Sequence, residues 1–226
     1  PPDRGEREGV EATSRAPFDE VRDGRPPDGA PELFGEGYEA IKRYVDILLD
    51  RGMAWGLLGP REAERIWTRH ILNSIALAPR VPDGSRVVDV GSGAGLPGVP
   101  LAILRPDLRV TLLDSLARRS EFLQLAVAEL GLAERVQVVR ARAEEHRSQY
   151  EVVVSRAVAP LTRLVPWCSP LLASTGRMVA LKGESAGDEL AQAQPILRRL
   201  ALDGSVRELE VPLLGETTWA VEVWRR

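Results

Sequence analysis

The chain has 226 residues, of which 44% are hydrophobic and 28% charged, a balance that suits one domain with a sizeable core plus an appendage. No apolar run reaches the roughly 20 residues that a membrane span needs, and no signal peptide is expected at the start. The chain has a net charge of −3, but residues 37–226 carry 25 basic and 23 acidic groups, and this net charge of +2 is too near neutral to indicate a nucleic-acid-binding protein by charge alone.

The few metal-binding and redox-active residues limit the chemistry further. Cys168 is the single cysteine, so no internal disulfide can form, and we expect a reducing, cytoplasmic location. The two histidines, His70 and His146, form no recognisable metal-binding pattern with it, so we expect no metal.

The N-terminal part divides into a tail and a helical cap. Residues 1–30 are rich in Pro, Gly, Arg and acidic residues, and ten Asp and Glu stand against five Arg in residues 1–36, so we expect a disordered tail. Residues 31–80 form the predicted cap, because apolar residues recur there at three- and four-residue spacing. Gly52 and Gly56 are expected to end or to loosen the first predicted helix, and a second predicted helix covers residues 61–78.

Residues 81–226 alternate between predicted strands and helices, which indicates an α/β domain with a mainly parallel sheet. The last two strands follow each other closely and predict an antiparallel edge. The seven predicted strands cover residues 87–90, 110–114, 136–139, 152–154, 177–181, 206–211 and 218–224. One predicted helix begins near Val99, and three others cover residues 116–130, 161–172 and 188–200.

The first strand runs into a glycine-rich turn and then a helix, the context that makes a glycine pattern a nucleotide-site hypothesis. Gly93, Gly95 and Gly98 match the dinucleotide fingerprint, whereas Gly91, Gly93 and Gly95 after Asp89 look more like the first motif of S-adenosylmethionine (AdoMet) methyltransferases. A tight turn without a ligand is the third reading.

Polar residues follow the strand ends, where ligands of open α/β sheets bind. Asp114 ends the second strand and can accept hydrogen bonds from ribose hydroxyls, although Asp114 or Ser115 could instead cap the next helix. Ala143 and Glu144 follow the third strand, where an adenine edge could be read. Arg156 ends the fourth strand and faces the expected reaction centre.

Five motifs in order resemble the RsmG family, also called GidB, over roughly residues 38–226. The largest is Val-Val-Asp-Val-Gly-Ser-Gly-Ala-Gly-Leu-Pro-Gly-Val-Pro-Leu-Ala at residues 87–102. The others are Arg-His-Ile-Leu-Asn-Ser (69–74), Leu-Leu-Asp-Ser (112–115), Ser-Arg-Ala (155–157) and Ala-Leu-Lys-Gly (180–183). Asn73 stands where many members have Asp, and residues 51–58 depart from the family pattern.

The resemblance implies a Rossmann-like class I AdoMet-dependent methyltransferase with a seven-stranded sheet. It implies transfer of a methyl group to N7 of guanine 527, in the 530 loop of 16S rRNA, within the 30S subunit or its precursor. Loss of such enzymes is associated with low-level streptomycin resistance. We expect a monomer.

Guanine N7 carries a lone pair and no proton, so direct transfer needs no general base, and positioning and electrostatics should supply the catalysis. We assign Arg156 and Lys182 to catalysis on the RNA side, where Arg156 could hold the target guanine or its phosphate and Lys182 a phosphate. The expected cofactor-binding set is Asp89, Gly91, Ser92, Gly93, Gly95, Leu96, Asp114, Ser115, Ala143, Glu144 and Arg156.

Three other functions remain open on the residues alone. A methyltransferase acting on another RNA or a small molecule would share the same core, although a small-molecule enzyme usually brings a closed apolar lid. An NAD-dependent oxidoreductase would need a further catalytic domain. A non-enzymatic RNA-binding module would not need a glycine loop paired with Asp114.

Overall fold

The computed structural model describes residues 24–226, and most of the predicted tail lies outside that range. The N-terminal part is helical, as predicted, but irregular. Its elements are α1 (Ala30–Phe34), α2 (Tyr38–Ile47) and α3 (Asn73–Ile75), with 3₁₀ turns at Gly35–Gly37, Pro60–Arg65 and Ala78–Arg80 and π turns at Leu48–Gly52 and Ile66–Leu72. Gly52 lies inside a π turn, so it loosens the first helix rather than ending it. The chain turns at Gly56, where φ is +68°.

The rest of the chain forms one seven-stranded sheet in the order β3-β2-β1-β4-β5-β7-β6, which confirms the mainly parallel sheet with an antiparallel edge. The strands are β1 (Arg86–Val90), β2 (Arg109–Asp114), β3 (Val136–Arg140), β4 (Tyr150–Arg156), β5 (Leu172–Leu181), β6 (Leu202–Val211) and β7 (Glu216–Arg225). The helices are α4 (Gly98–Leu104), α5 (Ala117–Glu129), α6 (Leu161–Cys168) and α7 (Ala186–Arg199). Strand order reverses between β1 and β4, the place where such sheets bind ligands.

Helices cover both faces of the sheet. The N-terminal helices pack with α4 and α5 on one face, around large buried side chains such as Tyr44, Trp67 and Phe122. On the other face α6 and α7 bury an apolar cluster that includes Leu164 and Leu197. The N-terminal helices therefore share a core with the sheet, and a boundary between residues 31–80 and 81–226 stays a prediction.

The fifth strand begins at Leu172, five residues before the predicted start, because Gly176 lets it approach β4 closely. A Cβ at Gly176 would lie 2.7 Å from the carbonyl oxygen of Tyr150, and the register between the two strands shifts there. Within residues 24–226, no helix combines the length and apolar character needed to cross a membrane.

Candidate active site

The glycine loop joins β1 to α4 at the centre of the sheet. Gly91, Gly93 and Gly95 have φ values of +69°, +61° and +101°, a region that costs other residues conformational strain. A Cβ at Gly91 would lie 2.8 Å from Val158, so the loop after β4 packs on this glycine. A Cβ at Gly93 would meet only the Gly91 carbonyl oxygen, at 3.8 Å. Gly93 is therefore where a ligand can approach the backbone.

Asp89 holds this loop from inside the protein. Its Oδ2 accepts hydrogen bonds from the Ser92 hydroxyl (2.7 Å) and from the Gly98 amide at the start of α4 (2.9 Å). Burial raises the pKa of Asp89 to about 6. The buried Oδ1 has no hydrogen-bond partner within residues 24–226, so it is a spare acceptor beside the loop.

Asp114 lies at the end of β2 and is 3% exposed. Its Oδ2 accepts from the Gly93 amide and its Oδ1 from the Leu116 amide, both at 3.0 Å. Helix α5 begins after Leu116, so neither Asp114 nor the exposed Ser115 is its N-cap, and the capping alternative is wrong. Arg119 Nη1 also lies 3.5 Å from Oδ2, so the second lone pair of Oδ1 is the one left for a ligand.

Arg156 ends β4 and is held by the N-terminal helices. Its guanidinium donates to the Arg69 carbonyl oxygen (2.9 Å) and to His70 Nδ1 (2.8 Å). His70 Nε2 lies 2.6 Å from the Glu62 carboxylate. Because Nδ1 accepts, the proton of the neutral imidazole sits on Nε2 and is donated to Glu62. Burial and the nearby Arg156 lower the pKa of His70, which keeps the ring neutral.

Tyr44 is a site residue that the sequence analysis missed. It is fully buried on α2, and its hydroxyl donates to the Ala94 carbonyl oxygen (2.7 Å) in the glycine loop. Burial raises the pKa of Tyr44, and the positive charge of Arg156 acts on both Tyr44 and Asp89. Helical spacing from Ile41 would have placed Tyr44 on the apolar face, but not against the loop.

Lys182 follows β5 but its ammonium points into the protein. Nζ donates to the Ala159 carbonyl oxygen (2.5 Å) and pairs with Glu189 (2.8 Å), and 8% of the side chain is exposed. Glu189 also accepts from the Leu161 amide (2.8 Å). The phosphate contact predicted for Lys182 is therefore replaced by internal contacts that hold residues 157–161.

The remaining predicted residues lie around the loop at different depths. Ser92 and Leu96 are buried inside it. Ala143 is buried and Glu144 exposed in the turns after β3. The structure thus brings the glycine loop, Asp89, Asp114 and Arg156 together and leaves Lys182 behind the loop that follows β4.

Sequence comparison gives a consistent assignment. Residues 37–212 match the family GidB, described as rRNA small subunit methyltransferase G. The chain is 49% identical over 195 residues to the ribosomal RNA small subunit methyltransferase G of Mycolicibacterium gilvum, covering 84% of this chain and 83% of that protein. It is 53% identical over 186 residues to the protein of the same name from Salinispora tropica, covering 77% of each.

Solved structures bear on the fold alone, because their sequence identities are low. The mitomycin 7-O-methyltransferase MmcR superposes with a TM-score of 0.59 at 16% identity, covering 87% of this chain and 67% of that one. The S-adenosylmethionine-dependent methyltransferase SibL, in its apo form, gives 0.57 at 19% identity, covering 84% and 70%. The class I methyltransferase fold predicted from the sequence is confirmed.

Proposed function

Since this chain belongs to the rRNA small subunit methyltransferase G family, we propose that it methylates N7 of guanine 527 in 16S rRNA. It is an AdoMet-dependent methyltransferase. The observation that carries the cofactor site is the open backbone at Gly93 beside the buried Asp114 carboxylate, where strand order reverses, and the match to the family carries the rRNA target. A 30S subunit or its precursor in the cytoplasm is the proposed substrate, and a monomer is the proposed state.

The chain's own atoms fit the parts of AdoMet. The Asp114 carboxylate would accept from the ribose hydroxyls mainly through Oδ1, because Gly93 and Arg119 already contact Oδ2. The unpartnered Asp89 Oδ1 would accept from the ammonium of the methionine part, and that cation would favour the ionised carboxylate. Leu116, 52% exposed just after Asp114, offers an apolar surface to the adenine. Ala143 and Glu144 remain the residues that we propose to contact the edge of the adenine.

AdoMet supplies a methyl group on a positively charged sulfur. The guanine N7 lone pair needs no deprotonation, so this chain has to position the base rather than move a proton. Burial raises the pKa of the Cys168 thiol to about 12, which makes it a poor nucleophile and leaves a covalent cysteine route without support.

Arg156 is the proposed catalytic residue on the RNA side. A guanidinium has five N–H donors, and only two lie on Arg69 and His70, so donors remain for O6 of the target guanine or its phosphate. Ala157, the next residue, has φ +53°, an uncommon backbone conformation that clusters at functional sites.

Lys182 is the proposed positioning residue behind this centre. It fixes the Ala159 carbonyl oxygen, and Val158 packs on Gly91. We infer that Lys182 and Glu189 fix the position of the loop after β4 relative to the glycine loop. This role replaces the phosphate contact predicted for Lys182.

We expect His70→Leu to lower kcat about fivefold to tenfold, because Arg156 loses its nitrogen acceptor and can adopt other rotamers. The dissociation constant of AdoMet should not change, since His70 makes no contact with the glycine loop among its recorded hydrogen bonds. Steady-state methyl transfer and calorimetry measure the two quantities.

The matched variant is His70→Asn, whose amide oxygen can stand near the position of Nδ1. It should retain more of the wild-type kcat than His70→Leu does. Equal kcat values for both variants would mean that the Nδ1 acceptor does not position Arg156.

The proposed function is tested by methyl transfer from labelled AdoMet to small ribosomal subunits from a strain that lacks this gene. We expect one label per subunit, mapped to N7 of guanine 527. Label at another nucleotide, or none in RNA while AdoMet still binds in calorimetry, would contradict the proposed target and favour another RNA or a small molecule.

A further inference from the structure

A second pocket, of about 310 Å³, opens away from the glycine loop, on the sheet face that the N-terminal helices cover in part. Four guanidinium groups (Arg80, Arg177, Arg207 and Arg225), the Glu222 carboxylate and the Trp224 indole line it. Arg177 lies in the middle of β5, opposite Trp224, where the β5–β7 ladder begins. The glycine loop lies instead at the ends of β1, β2 and β4. The arginine pocket is therefore separate from the cofactor site.

Two of the four arginines share one carboxylate, and the other two pair with none within residues 24–226. Arg80 and Arg207 both pair with the buried Glu222, whose pKa they lower against the effect of burial. One carboxylate serves two guanidinium groups. Within residues 24–226, Arg225 donates only to neutral carbonyl oxygens, those of Ser169 (3.2 Å) and Leu172 (3.4 Å). The pocket keeps an excess of positive charge in a chain whose net charge is −3.

Arg177 is the arginine whose surroundings most favour a bound anion. Its side chain is half-buried, and no acceptor within residues 24–226 is recorded for it. A partly desolvated guanidinium without an acceptor costs free energy, which an anion in the pocket would recover. Planar guanidinium groups match the geometry of phosphates, and the Trp224 indole adds an apolar wall for a sugar or a base.

We propose that the arginine pocket binds a backbone phosphate of the substrate RNA, at a contact apart from the reacting guanine. This inference rests on the proposed function, because it assumes an RNA substrate. Along β5, Arg177 lies four residues from Leu181, which pairs with Arg156, and four residues of strand span roughly 13 Å. One folded RNA can reach both places.

Phosphate contacts position a nucleic acid and add affinity without reading its sequence. The pocket therefore acts on binding of the small subunit and not on the chemical step. Its contribution weakens as salt rises, because each phosphate contact releases condensed counterions. These two properties separate it from Arg156.

The test variant is Arg177→Gln, which removes the charge and breaks no recorded ion pair. We expect the KM for small subunits to rise about fivefold and the slope of log KM against log salt to fall by about 1. The kcat and the dissociation constant of AdoMet should stay within about twofold of wild type, since neither depends on this contact. Arg177→Lys, which keeps the charge, should recover most of the affinity.

The control is Arg198→Gln, an exposed arginine on α7 at the opposite face of the sheet, which should change neither KM nor slope. A wild-type KM and slope in Arg177→Gln would overturn the inference while the wild-type enzyme still methylates subunits. A second outcome would also overturn the inference: wild type binds inorganic phosphate or AMP, and Arg177→Gln abolishes that binding without changing the KM for small subunits. The pocket would then bind a small anion and not the RNA. Failure of wild type to label subunits would instead contradict the proposed function.

Discussion

Replacing Arg156 with Ala is expected to lower kcat for methyl transfer to small subunits at least about 100-fold, because a target base that is held loosely loses the alignment on which this reaction depends. The same variant should bind AdoMet with a dissociation constant within about twofold of wild type. Within residues 24–226, the guanidinium of Arg156 donates only to Arg69 and His70, and to no atom of the glycine loop. Rapid-quench methyl transfer and calorimetry measure the two effects.

Two further variants decide whether the effect belongs to the guanidinium. Arg156→Lys keeps the charge but cannot donate to the Arg69 carbonyl, to His70 and to a nucleotide in the same planar geometry, so we expect partial activity. Arg109→Ala removes an exposed arginine at the start of β2, the other end of the sheet, and should be silent. Full activity of Arg156→Ala, with an unchanged melting temperature, would remove Arg156 from the catalytic site.

The contacts of Arg156 show where sequence reasoning stops. Its place at the end of β4 follows from the alternation of strands and helices, and so does the place of Asp114 at the end of β2. Its partners lie 86 and 87 residues earlier, in an irregular helical segment whose docking no periodicity predicts. Tyr44 is similar: its spacing predicts burial, but its hydrogen bond to Ala94 depends on how two distant segments pack.

Lys182 shows a placement that the sequence predicts and a side-chain direction that it does not. A lysine after a strand at the ligand-binding edge suggests a phosphate contact. Glu189 follows seven residues later at the start of α7 and captures the ammonium, because burying a charge without a partner would cost more. The strand end was predictable, but the direction of the side chain depended on α7.

Asp114→Ala is expected to raise the dissociation constant of AdoMet about 10- to 100-fold, the loss that one or two charge-assisted hydrogen bonds to ribose would cause. The glycine loop should also loosen, since Asp114 Oδ2 accepts from the Gly93 amide. Asp114→Asn keeps an acceptor for that amide. If Asp114→Asn restores the glycine loop but not the affinity for AdoMet, the lost affinity is due to the ribose contact. Calorimetry with AdoMet and with its product measures the affinity.

The matched control is Asp107→Ala, because Asp107 also accepts a backbone N–H, that of Gly84 (2.8 Å), and its pKa is lowered by Arg105. It lies before β2, at the other end of that strand, so its loss should lower the melting temperature without changing the affinity for AdoMet. An unchanged dissociation constant in Asp114→Ala would remove Asp114 from the cofactor site. If Asp114 acts on cofactor binding and Arg156 on the transfer step, excess AdoMet should rescue much of the activity of Asp114→Ala and none of that of Arg156→Ala.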